Sequence, residues 1–404
     1  MTGTYDCVRE ERLKREEYME KYSRVVVAMD SMKGCLDSYQ ASLAIKQGLQ
    51  EAFPGIEVTL RPVSDGGEGM TAMIAYGRSD FSESSCVVTG PVCECVTAKW
   101  IMQASEAYID FAAGAGLTLV DEMRRDPLQT TSYGVGEMID AALKSGNYSV
   151  NLGLGGSGTV DGGLGALQAL GLRLLDKNGG ELPKPFKGGM LRELDDFELT
   201  DLFKEKVGRL KLRLLCDVEA PFTGINGAAR VFGPQKGADE AGVEQLEAGL
   251  EKLRRLILKK TGINLNEHPG TGAAGGAAGG LMALAGGVIR KGASTLLDLT
   301  GFDGEIAGAD LLITGEGGSD RQTLMGKIPY EILQRGKRKG IPVWLVAGRV
   351  SDRVHLETAG FERVISINSP EIVERSGTIG QNPLDPSVAS QRLRSLFCNR
   401  RFDN

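Results

Sequence analysis

Acidic residues recur just past apolar runs in this 404-residue chain, each with glycine close by. Asp30 stands in MDSMKG, Asp65 and Glu68 in SDGGEG, and Asp161 in GLGGSGTVDGG. Asp217 stands in CDVEAPFTG, and Glu316 and Asp320 in GEGGSDRQ. Lysines keep company with such turns: Lys33 in DSMKG, Lys236 in FGPQKGA and Lys327 in QTLMGK. Glycine N–H groups can reach phosphate oxygens, whereas a carboxylate there holds a divalent cation or takes a proton from a hydroxyl. Cationic lysines neutralise the charge of a transferring group. Each acid alone has a plainer explanation, because an Asp after a strand commonly caps the next helix or closes an Asx-turn. A shared site accounts for the whole set better than that many separate turns.

Other chemistries find less support. The seven cysteines are scattered with no C-x-x-C pair, and the only histidines are His268 and His355, so neither a zinc site nor a disulfide framework is expected. A P-loop would read G-x-x-x-x-G-K-[ST], but Gly326-Lys327 is followed by Ile328. The dinucleotide pattern G-x-G-x-x-G is met only loosely by GLGGSGTVDGG, so generic motifs leave a nucleotide site unassigned.

These residues need elements to hold them. Arg24–Met29 (RVVVAM) reads as a buried parallel strand. A helix follows from about Ser38, which can cap it, to Phe53, before Pro54-Gly55. A second strand, Ile56–Val63, completes a β-α-β unit and predicts a parallel sheet. The middle has short strand-like runs at Cys86–Val88, Val96–Met102 and Ala107–Phe111, then a helix near Gly134–Lys144. Strands Ser149–Leu154 and Leu210–Leu215 follow, with an amphipathic helix Glu240–Lys260 that Gly262 ends. The α/β rhythm returns with strands Asp310–Thr314, Pro342–Ala347 and Val364–Ile367, and helices Ile328–Lys339 and Val388–Phe397. The expected organisation is a polar extension over 1–22, a discontinuous domain of 23–66 and 290–404, and a second α/β domain of 67–289 inserted into it.

Composition agrees with a globular protein: 41% of residues are hydrophobic and 25% charged. Glycine occurs 56 times, about twice the usual ~7%, and clusters after apolar runs. A net charge of −6 gives no sign of a nucleic-acid or membrane surface, and no apolar run approaches the ~20 residues of a membrane helix. The charged N-terminus lacks a signal peptide's apolar stretch, so the expected location is the cytoplasm.

Seven segments occur in an order similar to the signature blocks of the glycerate kinase family: DSMKG, SDGGEG, TTSYGVGEMI, GLGGSGTVDGGLGALQALG, CDVEAPFTGINGAARVFGPQKGA, GAAGGAAGGLMAL and ADLLITGEGGSDRQTLMGK. They span about residues 24–370. The resemblance implies ATP-dependent phosphorylation of D-glycerate with Mg²⁺, leaning towards 2-phosphoglycerate. It also implies a flavodoxin-like domain built from both chain ends, an inserted α/β domain, and an active site in the cleft between them. The chain departs from the family pattern at Met29, Met32, Cys35, Asp110, Gly158 and Ala220. A kinase for a related hydroxy acid, and a non-catalytic sensor of glycerate or nucleotide, are the alternatives.

On this footing the candidate catalytic residues are Asp161, Asp30, Lys33 and Asp65. Candidate substrate and nucleotide contacts are Gly66, Gly67, Glu68, Gly155, Gly156, Ser157, Lys236, Gly315, Glu316, Gly317, Gln322 and Lys327. Asp217 and Asp320 are the candidate Mg²⁺ ligands. Asp161 is the first choice for the group that orients the substrate hydroxyl, because it follows a glycine-rich turn and opens the helical run Leu164–Leu170. The alternative is that it simply caps that helix.

Overall fold

The computed structural model describes residues 22–32, 35–67 and 69–397. The candidates Lys33 and Glu68, and residues 1–21 of the expected extension, lie outside the described residues. In chain order the strands are β1 Arg24–Met29, β2 Glu57–Leu60, β3 Ser82–Thr89, β4 Cys95–Gln103, β5 Glu106–Asp110, β6 Ser149–Gly153, β7 Arg173–Leu175, β8 Asp196–Glu198, β9 Lys211–Leu215, β10 Val288–Arg290, β11 Leu311–Ser319, β12 Val343–Val350 and β13 Arg363–Ser366. The chain forms two compact units: one holds the residues up to Ser64 together with those from Ala293 on, and the other is Asp65–Gly292.

The first unit is built on a five-stranded sheet in the order β13-β12-β11-β1-β2, with every pairing parallel. Renumbered within the unit this is 2-1-3-4-5, the flavodoxin-like order, whose direction of winding reverses between β1 and β11. The continuous apolar run of β1 follows from burial on both faces. Val25, Val27 and Met29 enter one core with Ile313 and Trp344, while Val26 and Ala28 enter the opposite core with Leu312 and Leu345. Tyr22, the last residue of the expected extension, packs edge-on against Trp344 and belongs to the first of these cores.

The helix Ser38–Ala52 begins one residue away from expectation. Asp37 is the cap: its carboxylate accepts the Gln40 N–H at 2.7 Å, and the Gln40 side chain accepts the Asp37 N–H at 3.1 Å. Ser38 is buried instead, donating to the Met29 carbonyl and accepting the Val63 N–H at 2.9 Å, which ties the helix start to the end of β1. β11 also runs further than expected. Gly315–Ser319 stays extended and pairs with β12 as far as Val350, so GEGGS is strand rather than turn. A paired neighbour satisfies backbone groups that the glycine-rich sequence alone would leave to a loop.

The second unit has a six-stranded mixed sheet, β10-β9-β6-β5-β4-β3, in which β5, β6, β9 and β10 are parallel. Its alternation is strict. Ile109, Leu152 and Leu214 enter the core with Val135, Met138 and Leu281. Their strand neighbours Tyr108, Asn151 and Arg213 point the other way, where Glu106 joins Arg213 and Asn151. Elements with no sequence signal strong enough to name include the antiparallel pair β7–β8, the helices Met70–Ala75 and Asp201–Arg209 and the glycine-rich helix Ala277–Ala285.

Gly48 shows how tightly the first unit packs. A Cβ there would lie 2.2 Å from the Arg394 carbonyl of the helix Pro386–Ser395. Gly48→Ala is expected to cost about 1–3 kcal/mol through overpacking. Gly208→Ala, at an exposed helical glycine with nothing within 4 Å, should be neutral or gain up to about 1 kcal/mol. Urea midpoints of the two variants check the contrast.

Candidate functional site

In the second unit the candidate groups meet at the carboxyl edge of the parallel strands, where open α/β sheets take ligands. β6 ends at Gly153 and the chain turns through Leu154–Gly163. The Gly155 N–H donates to the Gly66 carbonyl at 3.1 Å. A Cβ on Gly155 would stand 2.3 Å from the Gly67 Cα, so only glycine allows this approach. Gly66, with φ of 86°, in turn lies on the end of β9 at Leu215. Asp65 closes the adjoining turn by accepting the Gly67 N–H at 2.8 Å. Burial, with the fields of Asp217 and Asp65, pushes the Cys216 thiol up to about 12. The two carboxylates therefore flank the end of β9.

Asp161 is fully buried. One carboxylate oxygen accepts the Ser132 N–H at 2.8 Å, the Ser132 hydroxyl at 2.7 Å and the Gly165 N–H at 3.3 Å; the other accepts the Gly163 N–H at 3.0 Å. Ser132 precedes the helix Tyr133–Lys144, and its hydroxyl also accepts the Ala166 N–H at 3.0 Å. Burial raises the Asp161 carboxyl above the usual range, and these donors pull the other way. The carboxylate thus fastens the end of the glycine turn to two helix starts. This arrangement favours the capping alternative over a base that must meet solvent-borne substrate.

Lys236 lies in the turn Pro234–Lys236 and is 2% exposed. Its ammonium donates to the Ser157 Oγ at 2.9 Å and to the Thr159 carbonyl at 2.8 Å. Burial pushes it down to about 7, against the pull of Asp161. Gly156 is exposed and Ser157 half-buried, so this stretch of the turn faces outward.

The first unit has its own group, at the winding reversal between β1 and β11. The Asp30 N–H donates to the Gly315 carbonyl at 2.8 Å, and its carboxylate accepts the Ser31 N–H at 2.7 Å. Glu316 is buried within β11 and accepts from the Ser319 and Thr323 hydroxyls at 3.1 and 2.5 Å and from Lys327 at 3.2 Å. Asp320 caps the short turn Arg321–Met325, accepting the Gln322 N–H at 2.7 Å. Gln322 is exposed and Gly317 half-buried.

The sequence candidates thus fall into two groups. Asp65, Gly66, Gly67, Gly155, Gly156, Ser157, Asp161, Asp217 and Lys236 lie at the second unit's edge. Asp30, Gly315, Glu316, Gly317, Asp320, Gln322 and Lys327 lie at the first unit's edge. The sequence pattern does not single out Ser132, within TTSYGVG, or Thr71, whose N–H and hydroxyl donate to Asp110 at 3.3 and 3.0 Å. A serine just ahead of a helix was the available signal for Ser132.

The class so defined is an α/β protein of two units, one with flavodoxin-like strand order, each carrying acids, a lysine and glycine at the carboxyl edge of its sheet. The chain belongs to the glycerate kinase family, whose sequence profile matches residues 25–379. It is 39% identical over 348 residues to the glycerate 2-kinase of Escherichia coli K12, covering 85% of this chain and 90% of that protein. It is 37% identical over 366 residues to a glycerate kinase of Bacillus cereus, covering 90% and 95%. A crystal structure of a Salmonella typhimurium LT2 protein assigned as a glycerate kinase 2 superposes with a TM-score of 0.73 at 34% identity, covering 93% of this chain and 96% of that one. Among the described residues no helix is long and apolar enough to cross a membrane.

Asp161→Asn separates clamp from base. The amide keeps the shape but turns an NH₂ group towards N–H donors, so stability should fall by about 1.5–3 kcal/mol. Thermal unfolding reads this directly. An unchanged midpoint with turnover reduced by about 10²–10⁴ would restore the base role.

Proposed function

We propose that the chain transfers the γ-phosphoryl group of ATP to D-glycerate with Mg²⁺, giving 2-phosphoglycerate. The observation that carries this is the family match over residues 25–379, with relatives that bear the name glycerate kinase. The edge of the second unit supports it. A glycine turn backed by a buried lysine suits anionic oxygens, and Asp65 and Asp217 stand beside it.

In this proposal the substrate hydroxyl oxygen attacks the γ-phosphorus, the bond to the bridging oxygen breaks, and ADP leaves with that electron pair. Asp65, which spends one oxygen on Gly67, orients the hydroxyl with the other and accepts its proton late. Ser157 and the N–H group of Gly156 receive anionic oxygens, while the Gly155 N–H holds the turn to Gly66. Gly315, Glu316, Gly317, Gln322 and Lys327, with Asp30, are proposed to contact nucleotide or substrate.

Among the described residues no three His, Cys, Asp or Glu gather to hold a metal ion. The hard carboxylate donors present suit a Mg²⁺ that rides on nucleotide phosphates and waters and takes one or two protein oxygens. Asp217 or Asp320 would hold it. When bound, the ion neutralises charge on the phosphates.

An assay of ADP release with D-glycerate should show turnover that excess EDTA abolishes, and phosphorus–carbon coupling in the product should locate phosphate at C2. Asp65→Asn should lower kcat by about 10²–10⁴ with glycerate binding retained. No ADP release with either glycerate enantiomer would defeat the proposal; coupling at C3 would overturn the product.

A further inference from the structure

Among the described residues no carboxylate hydrogen-bonds the Lys236 ammonium, so no direct ion pair balances its charge. The acceptors its ammonium meets, the Ser157 hydroxyl and the Thr159 carbonyl, are both neutral. An ammonium has three N–H groups, and these acceptors take up two. Thr159 is fully buried, and its hydroxyl has no hydrogen-bond partner. Two buried donors, one on each of two neighbouring turns, therefore await an acceptor, and burying a charge without a directly paired counter-ion is costly.

We infer that Lys236 is a positioning residue that acts through the Ser157 hydroxyl, and that an anionic oxygen arriving at the turn of Ser157 brings a proton onto its amine. This rests on the proposal that the turn 154–157 receives substrate. Because the Ser157 oxygen accepts from Lys236, its own proton is free to point outward and donate to the ligand. The positive charge behind it strengthens that bond. The new negative charge in turn favours the ammonium, which takes its proton from solvent. The shared ligand chemistry is a carboxylate or phosphate oxygen.

The surroundings fix the sign. Asp161, from the turn of Ser157, is the charged group whose field reaches the amine, and it favours the proton. Arg125 meets the neighbouring Gly237 through its backbone carbonyl. With the amine poised near 7, the free protein is largely protonated below that pH and largely neutral above it. Below about pH 7, then, binding needs no extra proton and affinity is flat. Above it, one proton must accompany the anion, so affinity falls towards about tenfold per pH unit.

Titration calorimetry on the full chain, from about pH 6 to 9 in buffers of different ionisation heat, tests this with D-glycerate and with ADP as separate probes. At about pH 8, where the ADP phosphates have already lost their protons, uptake approaching one proton per ligand is expected. Uptake with glycerate alone identifies the carboxylate as partner, and with ADP alone the phosphate. Lys236→Met should weaken binding below pH 7 and abolish the uptake. Lys236→Arg, whose charge does not titrate in this range, should also abolish it but keep affinity at high pH. Ligand bound by the wild type without proton uptake overturns the inference, as does uptake that persists in Lys236→Met. The wild-type count stands even where a variant fails to fold. Glycerate turnover without uptake defeats this inference alone. ADP bound with uptake but no glycerate turnover defeats only the substrate proposal, and binding of neither probe defeats both.

Discussion

A carboxylate that no water reaches organises the edge of the second unit. Asp161 gives up hydration on burial, a cost that would exceed any benefit were its oxygens left bare. Three backbone N–H groups and one hydroxyl replace the water. Two of those donors belong to Ser132 and two to the glycine pair that begins the next helix, so one side chain fixes the distance between segments that share no strand. Everything outward of it on the turn, including the exposed Gly156, inherits that position.

The first unit reaches a similar end by different means. Glu316 lies within a paired strand, and its carboxylate gathers two hydroxyls and Lys327 from the segment that follows. Both edges therefore use a buried acid to discipline a glycine-rich segment, with neutral donors supplying most of the bonds. The difference lies in the cation. Lys327 pairs with its acid and keeps 39% of its side chain in solvent, whereas Lys236 is buried on neutral acceptors.

Much of this was legible in the sequence, and the omissions have physical causes. Apolar runs such as RVVVAM announce strands buried on both faces, and Ile328–Lys339 matches its helical periodicity to the residue. The β-α-β connection and the return of the α/β rhythm near the chain's end point to one parallel sheet built from both ends, but the place of β11 beside β1 is set by tertiary pairing. Glycine-rich GEGGS read as a turn because pairing with β12, which keeps it extended, is a tertiary contact with no local signature. Ser38 reads as a cap because serine is a common one; Asp37 has the better box with Gln40, which frees Ser38 to join the end of β1 to Val63. The acids after strands were visible as a set. Their burial was not, and burial separates Asp161 from Asp65, two aspartates in glycine-rich turns with identical intrinsic chemistry.

The placement of opposite charges around the turn explains why Lys236 stays poised. Asp161 and Lys236 are both buried and feel one another's field, yet each is bonded to other groups. A direct ion pair would have raised the lysine well above neutrality and spent its charge within the fold. Instead, the acid is satisfied by N–H and O–H donors and the amine by a hydroxyl and a carbonyl, with the backbone of residues 157–161 strung between them. Attraction across that backbone holds the turn without neutralising it. What is left over is positive potential behind Ser157, at the half-buried part of the turn where an anion could use it.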